Sequence, residues 1–423
     1  MPVMADYDLI LRQGVWLDDV LEGRAQPLDV AIRGDRIAAV APRLAGSAEQ
    51  ELQIQDQLIS PPFVESHIHL DSALTAGEPR WNQSGTLFEG IEIWGERKRA
   101  LDFGDVHQRA LETLKRQAQQ GILYVRTHAD VSEPSLTALK ALLAVRDQVK
   151  GWMTLQVVAF PQDGIYSHPR NESLLEEALK LGADVVGGIP HYELTREDGV
   201  RSVHRIFELA EKYDRLIDIH CDEIDDPQSR FLEVVAACAL RAEMGERVTA
   251  SHTTAFASYD NAYASKLMST LRRSRLNLIA NPLINLTLQG RADSYPKRRG
   301  ITRVKELWLA GINVSLGHDC IQDPWYSLGT GNMLDVAHMA VHGCHMTGID
   351  QIQACYRMVT HQGMRTLAQP SQKLQEGQLA RLIVLDATSP VEAIRTRSIP
   401  TAVIYDGKML SRGIPALFRW LQE

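Results

Sequence analysis

What most limits the folds open to this chain is the alternation along its middle, where short apolar runs recur between longer amphipathic stretches. The runs are LISPPFVE (58–65), ILYVRTH (122–128), LQVVAF (155–160), ADVVGGIP (183–190), LIDIHC (216–221), RVTASH (247–252), LNLIAN (276–281) and INVSLGH (312–318). Strands of a parallel sheet are buried on both faces and so read as near-continuous apolar runs, and each needs a crossover long enough to hold a helix. Segments such as LEEALKLG (175–182) and VHRIFELAEKYD (203–214) have that helical pattern. Eight strand and helix repeats predict a (β/α)8 barrel.

The two ends of the chain are built differently. AIRGDRIAAV (31–40) sets two short runs about Gly34-Asp35, and TAVIYDGKML (401–410) repeats the design about Asp406-Gly407. Both read as β-hairpins. The expected organisation is a small β domain drawn from residues 1–57 and 369–423, with the barrel over 58–368. No run approaches the ~18 apolar residues of a membrane span, and MPVMADYDLI lacks the cationic start and apolar core of a secretory signal. The expected location is the cytoplasm. The five cysteines are dispersed without a Cys-x-x-Cys pair, which fits reduced thiols, and a net charge of -8 argues against nucleic acid as a partner.

In such a barrel, chemistry belongs at the C-terminal ends of the strands. His67 and His69 close the first run, His220 the fifth and His252 the sixth, while Asp319 follows the eighth. Side chains two apart on a strand point the same way, so His67 and His69 can converge on one ion. Three neutral imidazoles and a carboxylate suit one divalent metal, Zn²⁺ or Fe²⁺, with a position open for water. Two-metal barrel hydrolases commonly carry a carboxylated lysine after the fourth strand. GADVVGGIPH has none, so a single ion is expected. Glu223 follows His220 closely enough to share the cavity and act as acid or base, whereas Asp222, Asp225 and Asp226 read as surface carboxylates. No Pro-Cys-x-x-Cys is present, which excludes the zinc deaminases built on that motif. Three further features read as structural: Glu96 to Arg99 as a solvated helix face, YPKRRG (295–300) as a structured loop, and His338, His342 and His345 as one face of a helix lying on the barrel.

FVESHIHLD, HCDEIDD, TASHTT, YPKRRGITRVKE and GHD with DPWY together resemble the amidohydrolase superfamily, and closely its bacterial cytosine deaminase branch. The resemblance extends through WNQSGTLFEGIE (81–92) and VVAFPQDGI (157–165). It implies one metal at His67, His69, His220 and Asp319, with Glu223 and His252 as catalytic partners and a pyrimidine base as substrate. It assigns Gln162 to the substrate's polar edge and Leu87, Phe160 and Trp325 to the pocket wall. It also implies a homo-oligomer. In this scheme Asp319 takes a proton from water, Glu223 protonates the ring nitrogen and His252 steadies the attacking oxygen. The competing readings are an amidohydrolase acting on another cyclic amidine, such as isoguanine, and a non-catalytic barrel.

The sequence departs from that branch at one position. Relatives carry a second aspartate after the metal-binding one, beside carbon 5 of the pyrimidine, and here that residue is Cys320. A cysteine is shorter, uncharged and packs as a small hydrophobe. The exchange leads to the expectation that 5-methylcytosine is accepted at least as well as cytosine.

Overall fold

The computed structural model describes residues 5–414. Its centre is an eight-stranded sheet of Phe63–Ile68, Ile122–Asp130, Thr154–Phe160, Val185–Gly188, Leu216–Cys221, Val248–His252, Asn277–Ala280 and Val314–Leu316, each strand paired with the next in the chain. Every pairing is parallel, because a helix intervenes between strands and returns the chain to the same end. A bridge between Ile68 and Asp319 closes the last strand onto the first. The (β/α)8 barrel read from the sequence is therefore present.

The crossover helices follow from local signals. Asp102, Thr195 and Asp260 each accept a hydrogen bond from the backbone N–H three residues on, capping the helices Phe103–Gln119, Arg196–Tyr213 and Asn261–Ser274. The apolar face of each lies on the barrel, with Leu114, Ile206 and Leu271 fully buried. Between barrel strands, two helices are added to the regular alternation, Leu87–Lys98 and Pro282–Leu288, and both stand at the mouth of the barrel.

The terminal sheet also has eight strands, drawn from Tyr7–Ser60 and from Leu382–Arg412. Arg33 pairs with Arg36 across Gly34, which takes the left-handed φ of 60°. Tyr405 pairs with Lys408 across Asp406 and Gly407, both with positive φ, as a type I′ turn requires. Both hairpins read from the sequence are thus in place.

The segment 58–65, expected as one strand, is two. Pro61 and Pro62 interrupt it, and neither has an N–H to give a ladder. Leu58–Ser60 joins the terminal sheet, pairing with Val15 and Trp16 on one side and Ile383–Leu385 on the other. The barrel strand begins only at Phe63. Among the described residues, no helix is long and apolar enough to cross a membrane.

Candidate active site

The closing bridge of the barrel builds the centre of the site. The Asp319 N–H donates to the His67 carbonyl at 2.8 Å and the His69 N–H to the Asp319 carbonyl at 3.1 Å. Backbone pairing thus sets the carboxylate beside both imidazoles: Asp319 Oδ1 is 3.6 Å from His67 Nε2 and 3.6 Å from His69 Nε2. From the fifth strand His220 brings its Nε2 to 3.1 Å from that of His69. Asp319 (φ 71°) and His252 (φ 67°) hold left-handed backbone conformations that non-glycine residues seldom adopt, a strain kept where a strand end turns a side chain inward.

Electrostatics make these groups metal-competent. Burial, reinforced by the neighbouring imidazoles, pushes His67, His69 and His220 far below the usual histidine range, so each presents a neutral ring. His67 Nε2 is buried without a hydrogen-bond partner. Burial pushes the Asp319 carboxyl up to about 8, so it needs a positive neighbour to be held as a carboxylate near neutrality. Donors bound about 2.1 Å from a tetrahedral ion stand roughly 3.4 Å from one another. The separations of 3.1 Å between His69 and His220 and 3.6 Å from Asp319 to His67 and His69 lie close to that edge, as suits donors to one divalent ion.

His128, near the end of the second strand, belongs to the same cluster and had not been singled out from the sequence. Its donor atoms lie within 4.8 Å of those of His67 and His69. Its ring, however, stacks on His69 at an interplanar angle of 24°, whereas His220 meets His69 at 64°. Imidazole lone pairs lie in the ring plane, so stacked rings cannot aim at a common ion. That geometry sets His128 apart from His220, whose ring meets His69 edge-on beside Asp319.

Glu223 lies at the rim of this cluster. Its Oε1 is 3.0 Å from His252 Nδ1 and accepts from Asn285 Nδ2 at 3.2 Å. No hydrogen bond among the described residues engages Oε2. Burial alone would lower His252, but the carboxylates of Glu223 and Asp319 more than offset it and raise its pKa. The opposite face of His252 looks toward Asp319, with Nε2 to Oδ2 at 3.8 Å.

A cavity of about 540 Å³ opens from the cluster to the barrel mouth. Gln162, Leu87, Cys320 and Trp325 line it, together with His69, His220, Glu223 and Asp319. Cys320 is buried among Ile284 and Leu288, with Leu87 and Trp325 packed against them. Burial holds its thiol protonated well above the usual range, which disfavours a reactive thiolate. Phe160, expected in the wall, is fully buried behind it and stacks on the His220 ring at 4.0 Å, so it orients that imidazole. His191, which follows the fourth strand where a bridging lysine would stand, also lines the cavity and was not anticipated.

Several structural readings change in detail. Asp222, expected at the surface, is fully buried and caps the helix Phe231–Arg241, accepting from the N–H of Phe231 at 3.0 Å and of Leu232 at 2.8 Å. In the run 96–99, Lys98 is not solvated: its ammonium donates to Asp163 at 2.6 Å and Asp130 at 3.3 Å, tying the helix that carries Leu87 to the loop that carries Gln162. The cations of YPKRRG do hold a loop. Lys297 donates to Gly290 and Asp293 carbonyls, Arg298 grips Asp293, and Arg299 donates to the His342 and Gly343 carbonyls. His338 and His342 share the helix Met333–Gly343, while His345 lies beyond its end.

The model of the amidohydrolase family matches residues 54–410. A solved structure of a 5-methylcytosine deaminase from Klebsiella pneumoniae, liganded with 5-fluorocytosine, superposes with a TM-score of 0.93 at 46% identity, covering 97% of this chain and 99% of that one. Among curated proteins, the N-isopropylammelide isopropyl amidohydrolase of Pseudomonas sp. (strain ADP) is 28% identical over 412 residues, 96% of this chain and 97% of its own. The pterin deaminase of Rhizobium rhizogenes is 26% identical over 395 residues, 92% of this chain and 88% of its own.

Proposed function

Because the chain belongs to the amidohydrolase family, we propose that this hydrolase of C–N bonds deaminates free aminopyrimidine bases, taking 5-methylcytosine to thymine and cytosine to uracil with release of ammonia. The observation that carries the reading is the gathering of His69, His220, Asp319 and Glu223 at one cavity, with His67 buried beside Asp319 and with Cys320 in the same lining, packed with Ile284 and Leu288. A divalent ion held by His67, His69, His220 and Asp319, Zn²⁺ or Fe²⁺, supplies Lewis-acid activation of water.

The protein's own groups account for the remaining steps. Deamination needs a proton on the ring nitrogen beside the amine-bearing carbon before attack becomes easy. Glu223 delivers it from Oε2, since Oε1 is already held by His252 and Asn285, and takes a proton back from the hydroxyl on the attacked carbon as the product carbonyl forms. Asp319 Oδ2 takes a proton from the attacking water and returns it to the leaving amine. His252, between Glu223 and Asp319, steadies the attacking oxygen through Nε2. The Gln162 amide offers a donor and an acceptor, which match the ring N–H and carbonyl of a cytosine-like edge. Leu87 and Trp325 cover the ring, and Cys320 meets its carbon-5 side.

The resemblance extends the proposal to a cytoplasmic homo-oligomer, which sedimentation would check. The cavity volume favours one alternative, a larger cyclic amidine such as isoguanine. Ammonia release across cytosine, 5-methylcytosine, isoguanine and pterin decides between them. Thymine formed from 5-methylcytosine at a kcat/KM equal to or above that for cytosine supports the proposal. Turnover confined to bicyclic bases would overturn it.

A further inference from the structure

A chain of buried polar groups stands behind His67, on the side away from the cavity. His67 Nδ1 lies 3.0 Å from Ser251 Oγ, and Ser251 donates to Asp218 Oδ1 at 2.6 Å. Asp218 is paired through its other oxygen with Arg126 Nη1 at 3.0 Å, and both side chains are fully buried. Arg126 is itself anchored by Gln156 Oε1, Thr249 Oγ1 and the Thr366 carbonyl. None of these residues lines the cavity, and none has a part in the reaction described above.

Counting protons along this chain leaves a single arrangement. A guanidinium at 3.0 Å keeps Asp218 as a carboxylate, which only accepts. Ser251 has one hydroxyl proton, and the 2.6 Å contact commits it to Asp218. The Ser251 oxygen can then face His67 Nδ1 only as an acceptor, so Nδ1 carries the hydrogen of the neutral ring. Nε2 is left with a bare lone pair. That nitrogen is the buried atom without a hydrogen-bond partner, on the side of Asp319. Two adjacent strands set the spacing, since His220 pairs with Ser251 and Asp218 with Thr249 across the fifth and sixth strands.

We propose that Asp218 and Ser251 are positioning residues that fix His67 as the Nδ1–H tautomer and so aim its Nε2 lone pair at the metal, with Arg126 holding the relay in place. The proposal rests on the metal-site reading above. Outer partners of a ligating histidine typically contribute 10–100-fold to metal affinity. Ser251→Ala removes the acceptor and lets either tautomer form.

The test measures loss of Zn²⁺ from the loaded enzyme to a chelator for the wild type, Ser251→Ala and Ser251→Thr. Histidine-selective ¹⁵N NMR of the wild type reads the His67 tautomer independently of any variant. The expected result is an Nδ1–H signal for His67, with about 10–100-fold weaker Zn²⁺ retention in Ser251→Ala and recovery toward the wild type in Ser251→Thr. Wild-type retention in Ser251→Ala, or an Nε2–H tautomer in the wild type, would overturn the inference while leaving the metal site standing. A wild-type chain that binds no Zn²⁺ would overturn the site reading and the inference with it. Should Ser251→Ala not fold, the wild-type tautomer and the Ser251→Thr retention decide.

Discussion

Replacing Cys320 by aspartate would restore the carboxylate that the cytosine deaminase branch carries. Its effect can be sized from the pocket. Cys320 is 4% exposed and sits with Ile284 and Leu288, its thiol engaged with the buried Asp323 carboxyl, so in the proposed pose a methyl group on carbon 5 would leave water for the small hydrophobe and its apolar neighbours. Transfer of one methyl is worth about 0.8 kcal/mol, and dividing by an RT of about 0.59 kcal/mol gives roughly a fourfold preference. Steric conflict with the longer aspartate raises the ceiling, since one methylene in a tight pocket discriminates by up to about 200-fold. The kcat/KM ratio of 5-methylcytosine to cytosine should therefore fall by between about 4- and 200-fold in Cys320→Asp, read from ammonia release. Cys320→Ser, small and uncharged, should stay close to the native ratio. An unchanged ratio in Cys320→Asp, or a native enzyme that strongly prefers cytosine, would refute the reasoning.

Glu223→Gln keeps the shape of the site but removes the transferable proton, so metal should remain near one ion per chain by elemental analysis while turnover drops about 10²–10⁴-fold. A Cβ at Gly90 would collide with the Trp325 indole at Cδ1. Gly90→Ala must displace the indole from the pocket wall, with a loss of about 1–3 kcal/mol in denaturant unfolding and a lower kcat/KM. Burial opposes the charge of Lys98, yet Asp130 and Asp163 raise its pKa above the usual lysine value. A raised folded-state pKa contributes stability that is whole below the unfolded value and fades as pH rises through the folded one. The stability deficit of Lys98→Met should accordingly be constant near neutrality and shrink above about pH 10, followed by urea unfolding at each pH.

Residues whose role depends on local period were legible in the chain, and residues whose role depends on distant partners were not. His67 and His69 declare themselves because strand period places both on one side, and Asp319 because it follows an apolar run that must end at the same rim. Lys98 gave no such signal: its partners lie 32 and 65 residues away and meet it only once the barrel has curled. Asp222 reads as one of several acids in HCDEIDD, and its role as a helix cap depends on a left-handed φ of 53° that the composition does not announce. His128 ends an apolar run as the proposed ligands do, and its stacking on His69 shows only in the folded barrel. Phe160 has the chemistry of a pocket wall, and its place behind His220 is decided by which face of the third strand meets the cavity.

The same geometry links metal to barrel closure. Three of the four proposed ligands, His67, His69 and Asp319, belong to the seam between the first and eighth strands, and His220 stands across the barrel mouth on the fifth. The site does not exist until the seam is shut, so an ion that binds there stabilises the closed barrel by RT ln(1 + [M]/Kd), about 4.1 kcal/mol when metal is 1,000-fold above its Kd. Without the ion, the seam rests on a short ladder that includes the His69 and Asp319 N–H bonds, around a neutral histidine cluster and a carboxyl shifted to about 8. Removing metal with a chelator should lower Tm, and the amides of His69 and Asp319 should lose hydrogen-exchange protection before those in the middle of the barrel strands, such as Ile219 and Ala250. Equal protection at the seam with and without metal would show that closure does not depend on the ion, and would place the stabilising contribution of the site elsewhere.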